Sequence, residues 1–131
     1  MDQVVQKPAE IPGYTLAITA ESLYLLNLLA IPGLAFLILL WLFFKYENSS
    51  PLLGACHLRQ TFSASIWAGV LLLLVNGVIF AVGGYQTPYT WVIAVLYFTI
   101  CHTTLVLLGL LGLAKAIAGQ SFHYPLIGPT C

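Results

Sequence analysis

The sequence contains very little charge. Asp, Glu, Lys and Arg make up only 6 % of its 131 residues, whereas an ordinary soluble domain has roughly 25 %. Four Lys and Arg balance four Asp and Glu, which excludes a basic surface for nucleic acid. Hydrophobic residues make up 60 % of the chain, which excludes a disordered protein. We therefore expect one integral membrane domain over residues 1–131, because so few charges could not cover a water-soluble globule.

Patterns that carry chemistry are also missing. The sequence has no C-x-x-C pair, no Gly-rich phosphate-binding loop, no paired carboxylates and no metal-ligand spacing. We therefore expect no enzyme activity. The cysteines Cys56, Cys101 and Cys131 are odd in number and widely separated, a pattern that predicts free thiols behaving as small apolar side chains.

Three long apolar runs are present instead. No charged side chain interrupts them, and they cover about residues 23–44, 62–82 and 89–113. About 20 apolar residues suffice to cross the hydrocarbon core, where a single segment satisfies its backbone only as a helix. The pattern predicts an all-α fold of three transmembrane helices, the first of them bent at Pro32. The remaining segments are an arm, a loop, a turn and a tail, at residues 1–20, 45–61, 83–88 and 114–131.

The few cations indicate an orientation. With three spans, Lys45, Arg59 and Lys115 lie on one side of the membrane and only Lys7 lies on the other. Cytoplasmic segments carry the excess of Lys and Arg. We therefore expect a multi-pass protein of the bacterial inner membrane, with the N-terminal arm outside and the C-terminal tail inside.

His102 is the candidate functional residue of the third run, because it lies near the middle of that run. Polar side chains at such depth are costly and usually face protein or a cavity. The functional interpretations are a haem ligand, a quinone hydrogen bond or a proton relay. The interpretation that we favour is a neutral histidine bonded to a neighbouring helix. His57 and His123 lie outside the runs, so a bis-histidine haem would need a partner chain, and we predict no cofactor within this chain alone.

Helix packing is predicted at a second group of residues. Asn76, in the second run, is expected to hydrogen-bond across helices. Small residues recur at helical spacing in the second and third runs, which lets backbones approach closely. The glycines assigned to this packing are Gly69, Gly77, Gly109 and Gly112. The spacing leaves open whether these faces meet within one chain or between chains.

Two short segments resemble a known family. Residues 50–62 read SPLLGACHLRQTF, and residues 114–126 read AKAIAGQSFHYPL. They resemble the small three-helix bacterial membrane proteins of unassigned function that are related to Tic20. In that family a His-x-x-Gln motif opens the second span, and a Gly followed by a Tyr-Pro pair comes near the end. His57 and Gln60 match the motif, and the likeness covers about residues 30–127. It implies a translocation or transport component.

His57 and Gln60 lie three residues apart and share a helix face. Together with Arg59 they form a candidate docking point for a partner or a lipid headgroup. The alternative, which we favour, is that His57 and Gln60 satisfy loop carbonyls or the tail as it folds back.

We therefore expect a non-catalytic accessory or assembly subunit. It would lie in the lipid bilayer and pack against a larger inner-membrane complex of a respiratory or other redox type, or form a homo-oligomer. The alternatives are the transport component that the resemblance implies, and a subunit that contacts a shared haem or quinone through His102.

Overall fold

The computed structural model describes residues 7–49 and 51–129, and every regular element in this part of the chain is helical. A short 3₁₀-helix covers Pro8–Glu10. A π-helical turn, Val70–Leu74, lies between the third and fourth of five α-helices. These are α1 Tyr14–Leu29, α2 Leu34–Tyr46, α3 Leu52–Gly69, α4 Val75–Gly83 and α5 Pro88–Ile117. The all-α prediction is confirmed.

Two helical units are long and apolar enough to cross a membrane. α3, the π-helical turn and α4 form one continuous unit, Leu52–Gly83, and α5 is the other. At 1.5 Å per residue, units of 32 and 30 residues are about 48 and 45 Å long. The hydrocarbon core is about 30 Å thick. α2 is also apolar but has only 13 residues.

The first apolar run is not a single helix. α1 ends at Leu29 and α2 begins at Leu34. Pro32 has no N–H to continue a helix, and Gly33 has a φ of 87°, in the region that favours glycine. The Oδ1 of Asn27 accepts a hydrogen bond from Gly33 N at 2.9 Å, which holds this break in place.

At this break the chain reverses, so that α1 and α2 form an antiparallel pair. Leu16, near the start of α1, belongs to the same apolar cluster as Leu42 and Tyr46, near the end of α2. Helices of 16 and 13 residues are about 24 and 20 Å long, so neither crosses the core alone. The structure thus differs from the prediction of one bent span over residues 23–44. The Pro-Gly break turns the chain around instead of bending one helix.

α1 is the central helix, because it contacts α2, α3 and α5. It runs antiparallel to α5, and two glycines of α5 allow a close approach. A β-carbon built on Gly112 would lie 2.5 Å from Glu21 Oε2, and one built on Gly109 would lie 2.7 Å from the Tyr24 ring. Any side chain at these two positions would push the helices apart.

The arm and the tail lie at the same end of the bundle. A β-carbon built on Gly13, just before α1, would lie 2.7 Å from Gly54 N at the start of α3. One built on Gly119, just after α5, would lie 2.5 Å from Ile11 Cδ1. The structure therefore differs from the expectation that a membrane separates the arm from the tail. The reversal between α1 and α2 returns the chain to the side from which it started; residues 1–6 of the arm lie outside the described residues.

The tail folds back between α3 and α5. Gly119 turns the chain with a φ of 71°, and Tyr124 is fully buried against Tyr24 and Ala64. Further on, Ile127 packs against the clusters that hold these helices together. The tail thus fills the space between the two long helical units, which touch each other little along α3.

Candidate functional site

A group of buried polar side chains lies where α1, α3 and the tail meet. We call Glu21, His57, Gln60 and Tyr124 the polar cluster, and each of the four is 0 % exposed. Glu21 Oε1 lies 2.6 Å from His57 Nδ1, and Glu21 Oε2 accepts a hydrogen bond of 2.6 Å from the Tyr124 hydroxyl. His57 Nε2 donates to Gln120 O at 2.8 Å. One carboxyl group therefore joins α1 both to α3 and to the tail.

These hydrogen bonds restrict where the protons lie. The Gln120 carbonyl can only accept, so His57 Nε2 carries a proton. One further proton is shared between Glu21 and His57 Nδ1, which gives either an ion pair or two neutral groups. A charge on one side chain alone would be costly, because both are removed from water. The two groups therefore depend on each other.

Burial also affects the acidic groups around this pair. Desolvation and the neighbouring Glu21 carboxyl raise the pKa of Tyr124 far above its usual value of 10, so the phenol remains a donor. Glu21 lies on α1, outside both units of spanning length. Burial raises the pKa of its carboxyl above the usual 4.5, and hydrogen bonds from His57 and Tyr124 partly oppose that rise.

Gln60 holds the backbone of the returning tail. Its Oε1 accepts a hydrogen bond from Tyr124 N at 3.0 Å, and its Nε2 donates to Pro129 O. One turn further along α3, Ser63 Oγ donates to Ile127 O. Buried backbone groups need hydrogen-bond partners, and these two side chains supply them to the irregular backbone of the tail. The hydrogen bonds of the polar cluster therefore hold the tail against α1 and α3.

The docking point predicted at residues 57–60 differs from this arrangement. His57 and Gln60 have no exposed surface and bond other parts of the same chain, so a partner could not reach them. Arg59 is partly exposed and its Nε lies 3.9 Å from Glu47 Oε1. The alternative that we favoured, in which His57 and Gln60 bind the returning tail, agrees with the structure.

A second feature is an apolar groove of about 660 Å³ beside the break between α1 and α2. It is open to the surroundings of the bundle, and we call it the midplane groove because it lies at the level of His102, halfway along α5. Most of its lining is aliphatic or aromatic, including Phe36 and Phe98. The polar residues among those that line it are Asn27, Ser65 and His102.

His102 is bonded to α1, as the favoured interpretation expected. Its Nε2 donates to Leu28 O at 3.0 Å, and its ring stacks on Phe98 with centroids 5.4 Å apart. The Leu28 carbonyl would bond the N–H of residue 32 in a continuing helix, and Pro32 has none. His102 thus supplies the hydrogen bond that the Pro-Gly break removes.

The predicted packing residues fall into two groups. Gly109 and Gly112 lie at close contacts with α1, as described above. Gly69 and Gly77 contact no other helix of this chain, because β-carbons built on them would meet nothing within 4 Å beyond their own helix backbone; the prediction left open whether such faces meet within one chain or between chains. Asn76 Nδ2 donates to Leu72 O in its own helix at 2.6 Å, at the π-helical turn, rather than to another helix. Gly69 borders the midplane groove, and Gly77 faces open space on α4.

The cysteines also differ in part from the expectation. Cys56 is disulfide-bonded and Cys101 is free, whereas Cys131 lies outside the described residues. Wide separation along the sequence was therefore a poor guide to pairing. No group of three or more His, Cys, Asp or Glu that could hold a metal ion occurs within residues 7–49 and 51–129.

Sequence reasoning missed Glu21 and Tyr124 as members of the polar cluster. Glu21 was placed outside the apolar runs, yet it is a carboxylate set among the apolar residues of α1, flanked by Ala20 and followed by Leu23. A buried carboxylate needs a partner, and a histidine is a suitable one. That requirement was the available signal, although it does not say which histidine is the partner.

Comparison of the chain with protein-family models, with curated proteins and with solved structures found no match. The likeness to the Tic20-related family therefore stays a prediction, carried by the residues quoted for it.

Proposed function

We propose that the chain is a non-catalytic membrane subunit that packs against a larger assembly of the inner membrane, and that the partner contacts α4 around Gly77. The observation that carries this proposal is the open space at Gly77, where a built β-carbon would meet nothing within 4 Å beyond the backbone of its own helix. A glycine in a membrane helix lets another helix approach closely. Within the described residues this chain supplies no such helix.

The surroundings of Gly77 support a partner at this face. α4 buries none of its residues in this chain, since α1 ends and α2 begins at the level of the midplane groove. Val78 and Val82 are exposed.

The membrane topology that we propose has two spans and a half-depth hairpin. Leu52–Gly83 and α5 cross the membrane, and α1 with α2 enters and leaves on the side of the tail. The cations then lie at one end of the bundle, and they are Lys7, Lys45, Arg59 and Lys115. The excess of Lys and Arg supports a cytoplasmic location of this end, which is the orientation that we propose. The disulfide at Cys56 favours the inverted orientation, with this end in an oxidising compartment, and the labelling experiment below distinguishes the two.

Cysteine labelling of intact cells tests this topology. We expect the introduced cysteines of Lys7→Cys and Ser49→Cys to be accessible from the same side of the membrane, and that of Gln86→Cys to be accessible from the other side. Labelling is measured against the unsubstituted chain. A membrane-impermeant reagent added from outside should modify only the Gln86→Cys variant. Labelling of Lys7→Cys together with Gln86→Cys would contradict the half-depth hairpin. Labelling of Lys7→Cys and Ser49→Cys without Gln86→Cys would invert the orientation.

A matched pair of variants tests the assembly. Gly77→Leu adds a side chain where the chain itself has room, so it should leave the fold intact and displace a partner helix. Leu37→Phe adds bulk at an exposed site on α2 and serves as the control. After extraction in mild detergent, the native size of the wild-type complex and its co-purifying subunits should persist in Leu37→Phe and disappear in Gly77→Leu. An unchanged complex in both variants would refute the proposed contact.

A further inference from the structure

One buried oxygen lacks a hydrogen bond. Among the buried side-chain nitrogens and oxygens of residues 7–49 and 51–129, Ser65 Oγ is the one without a partner, and Ser65 as a whole is only 4 % exposed. A buried hydroxyl without a hydrogen bond is destabilising. Ser65 lines the midplane groove, so rotation about its Cα–Cβ bond would turn the unpaired hydroxyl toward a molecule in that groove.

Two other polar groups border the same space. Asn27 uses its Oδ1 to accept from Gly33 N, which leaves its amide N–H groups as donors. His102 uses Nε2 to donate to Leu28 O, which leaves Nδ1 as an acceptor in the neutral ring. The groove therefore offers two kinds of donor, hydroxyl and amide, within an otherwise apolar lining. A few polar groups in an apolar pocket of 300–1,000 Å³ are typical of small-molecule sites, and this groove measures about 660 Å³.

The lining also restricts the charge and shape of a ligand. None of the residues that line the groove is Asp, Glu, Lys or Arg, so a phosphate or a carboxylate would be buried without a counter-ion, which is costly. The ligand is therefore uncharged. Phe36 and Phe98 present aromatic rings, which suit a flat ring, and the donors of Ser65 and Asn27 suit carbonyl oxygens.

The depth of the groove in the membrane argues against an ordinary phospholipid as its ligand. His102 is about 22 Å from either end of α5, at 1.5 Å per residue. In the membrane placement proposed above, on which this step rests, that level is near the middle of a ~30 Å core. The ester carbonyls of a phospholipid lie at the edge of that core and do not reach Ser65. A neutral ring that carries its own carbonyls on an apolar tail can do so.

We propose that the midplane groove binds the head of a lipid-soluble quinone, with a ring carbonyl accepting hydrogen bonds from Ser65 and Asn27. The proposal concerns binding and positioning, and includes no electron transfer. It goes beyond the assembly contact, which lies at Gly77 on α4, outside the groove lining.

The probes are decylubiquinone and decylbenzene, which share an apolar tail but differ in the ring carbonyls. Each is titrated into the full-length protein at one fixed detergent concentration. Bound probe is measured after gel filtration, and the melting temperature is measured in parallel, because a ligand that binds the folded state stabilises it. We expect saturable binding and stabilisation with decylubiquinone only. Equal binding of both probes, or of neither, would overturn the proposal.

Three variants locate the site. Ser65→Ala removes the unpaired hydroxyl and should weaken decylubiquinone binding about two- to tenfold, the range of one hydrogen bond. Gly69→Leu should abolish binding, because its side chain projects into space that borders the groove. Gly77→Leu is the matched control, since its β-carbon is equally unobstructed, and it should bind as the wild type does. Unchanged affinity in Ser65→Ala and Gly69→Leu would overturn the proposal.

The same variants keep this inference separate from the proposed function. Gly77→Leu should lose the assembly and keep the quinone, whereas Gly69→Leu should lose the quinone and keep the assembly. Loss of quinone binding in Gly77→Leu to the same degree as in Gly69→Leu would overturn the placement of the site in the groove.

Discussion

Replacing Glu21 with alanine removes the carboxyl group that bonds both His57 and Tyr124. Each of these partners is fully buried, so each is left with an unsatisfied polar atom out of reach of water. Breaking a buried pair in this way typically costs about 3–5 kcal/mol. Glu21→Gln keeps the volume and can still bond a neutral His57, so it should cost less, about 0.5–1.5 kcal/mol for one weakened hydrogen bond.

The free energy of unfolding of these variants can be measured by SDS titration in mixed micelles, followed by circular dichroism. Glu47→Ala is the control: the Glu47 carboxylate also faces a cation, Arg59, but at 3.9 Å and with both side chains partly exposed. An exposed pair contributes about 0.2–1 kcal/mol, so this variant should be mild. A double-mutant cycle with His57→Leu should give a coupling energy of about 0.5–3 kcal/mol. Equal, small losses in Glu21→Ala and Glu47→Ala, with no coupling to His57, would refute the role assigned to the polar cluster.

Three further predictions concern helix contact, pH and the α1–α5 hydrogen bond. Gly112→Ala should destabilise the fold, because its β-carbon would lie 2.5 Å from a carboxyl oxygen of α1, whereas Gly77→Ala should be neutral; the same SDS titration measures both. The pKa of Tyr124 is raised in the fold, so the stability that this phenol contributes is complete below pH 10 and declines as the pH rises above 10, where the unfolded phenol ionises. Tyr124→Phe should flatten this alkaline decline in stability, and an equally steep decline would contradict the assignment. His102→Leu should cost about 1–3 kcal/mol by leaving an α1 carbonyl unpaired, His102→Gln should cost less, and identical losses would argue against the hydrogen bond.

The class of protein could be predicted from the sequence because it depends on composition and on local patterns. Scarce charge and long apolar runs require helices that leave apolar surface outside, and α5 lies where the third run predicted it. The second run lies inside the unit Leu52–Gly83. Helices of this kind are stabilised largely by hydrogen bonds within the segment itself, so their positions can be inferred one segment at a time.

The first apolar run shows where such inference fails. Pro32 and Gly33 were correctly identified as a disturbance, but a bend and a reversal need the same residues in the sequence. The apolar cluster that Leu16 shares with the end of α2 decides between them. Gly69 and Gly77 have the same small-residue spacing as Gly109 and Gly112, but of these four only Gly109 and Gly112 lie opposite another helix of this chain.

The sequence by itself therefore determined the helical nature of this chain, its apolar character and the approximate positions of its two long helical units. Only the tertiary structure decided the polar cluster, the return of the tail and the groove beside the break. Glu21 is separated by 36 residues from His57 and by 103 from Tyr124. A periodic pattern indicates which face of a helix is buried, but it does not identify the distant helix face that packs against it. That pairing arises from the packing of all the helices together.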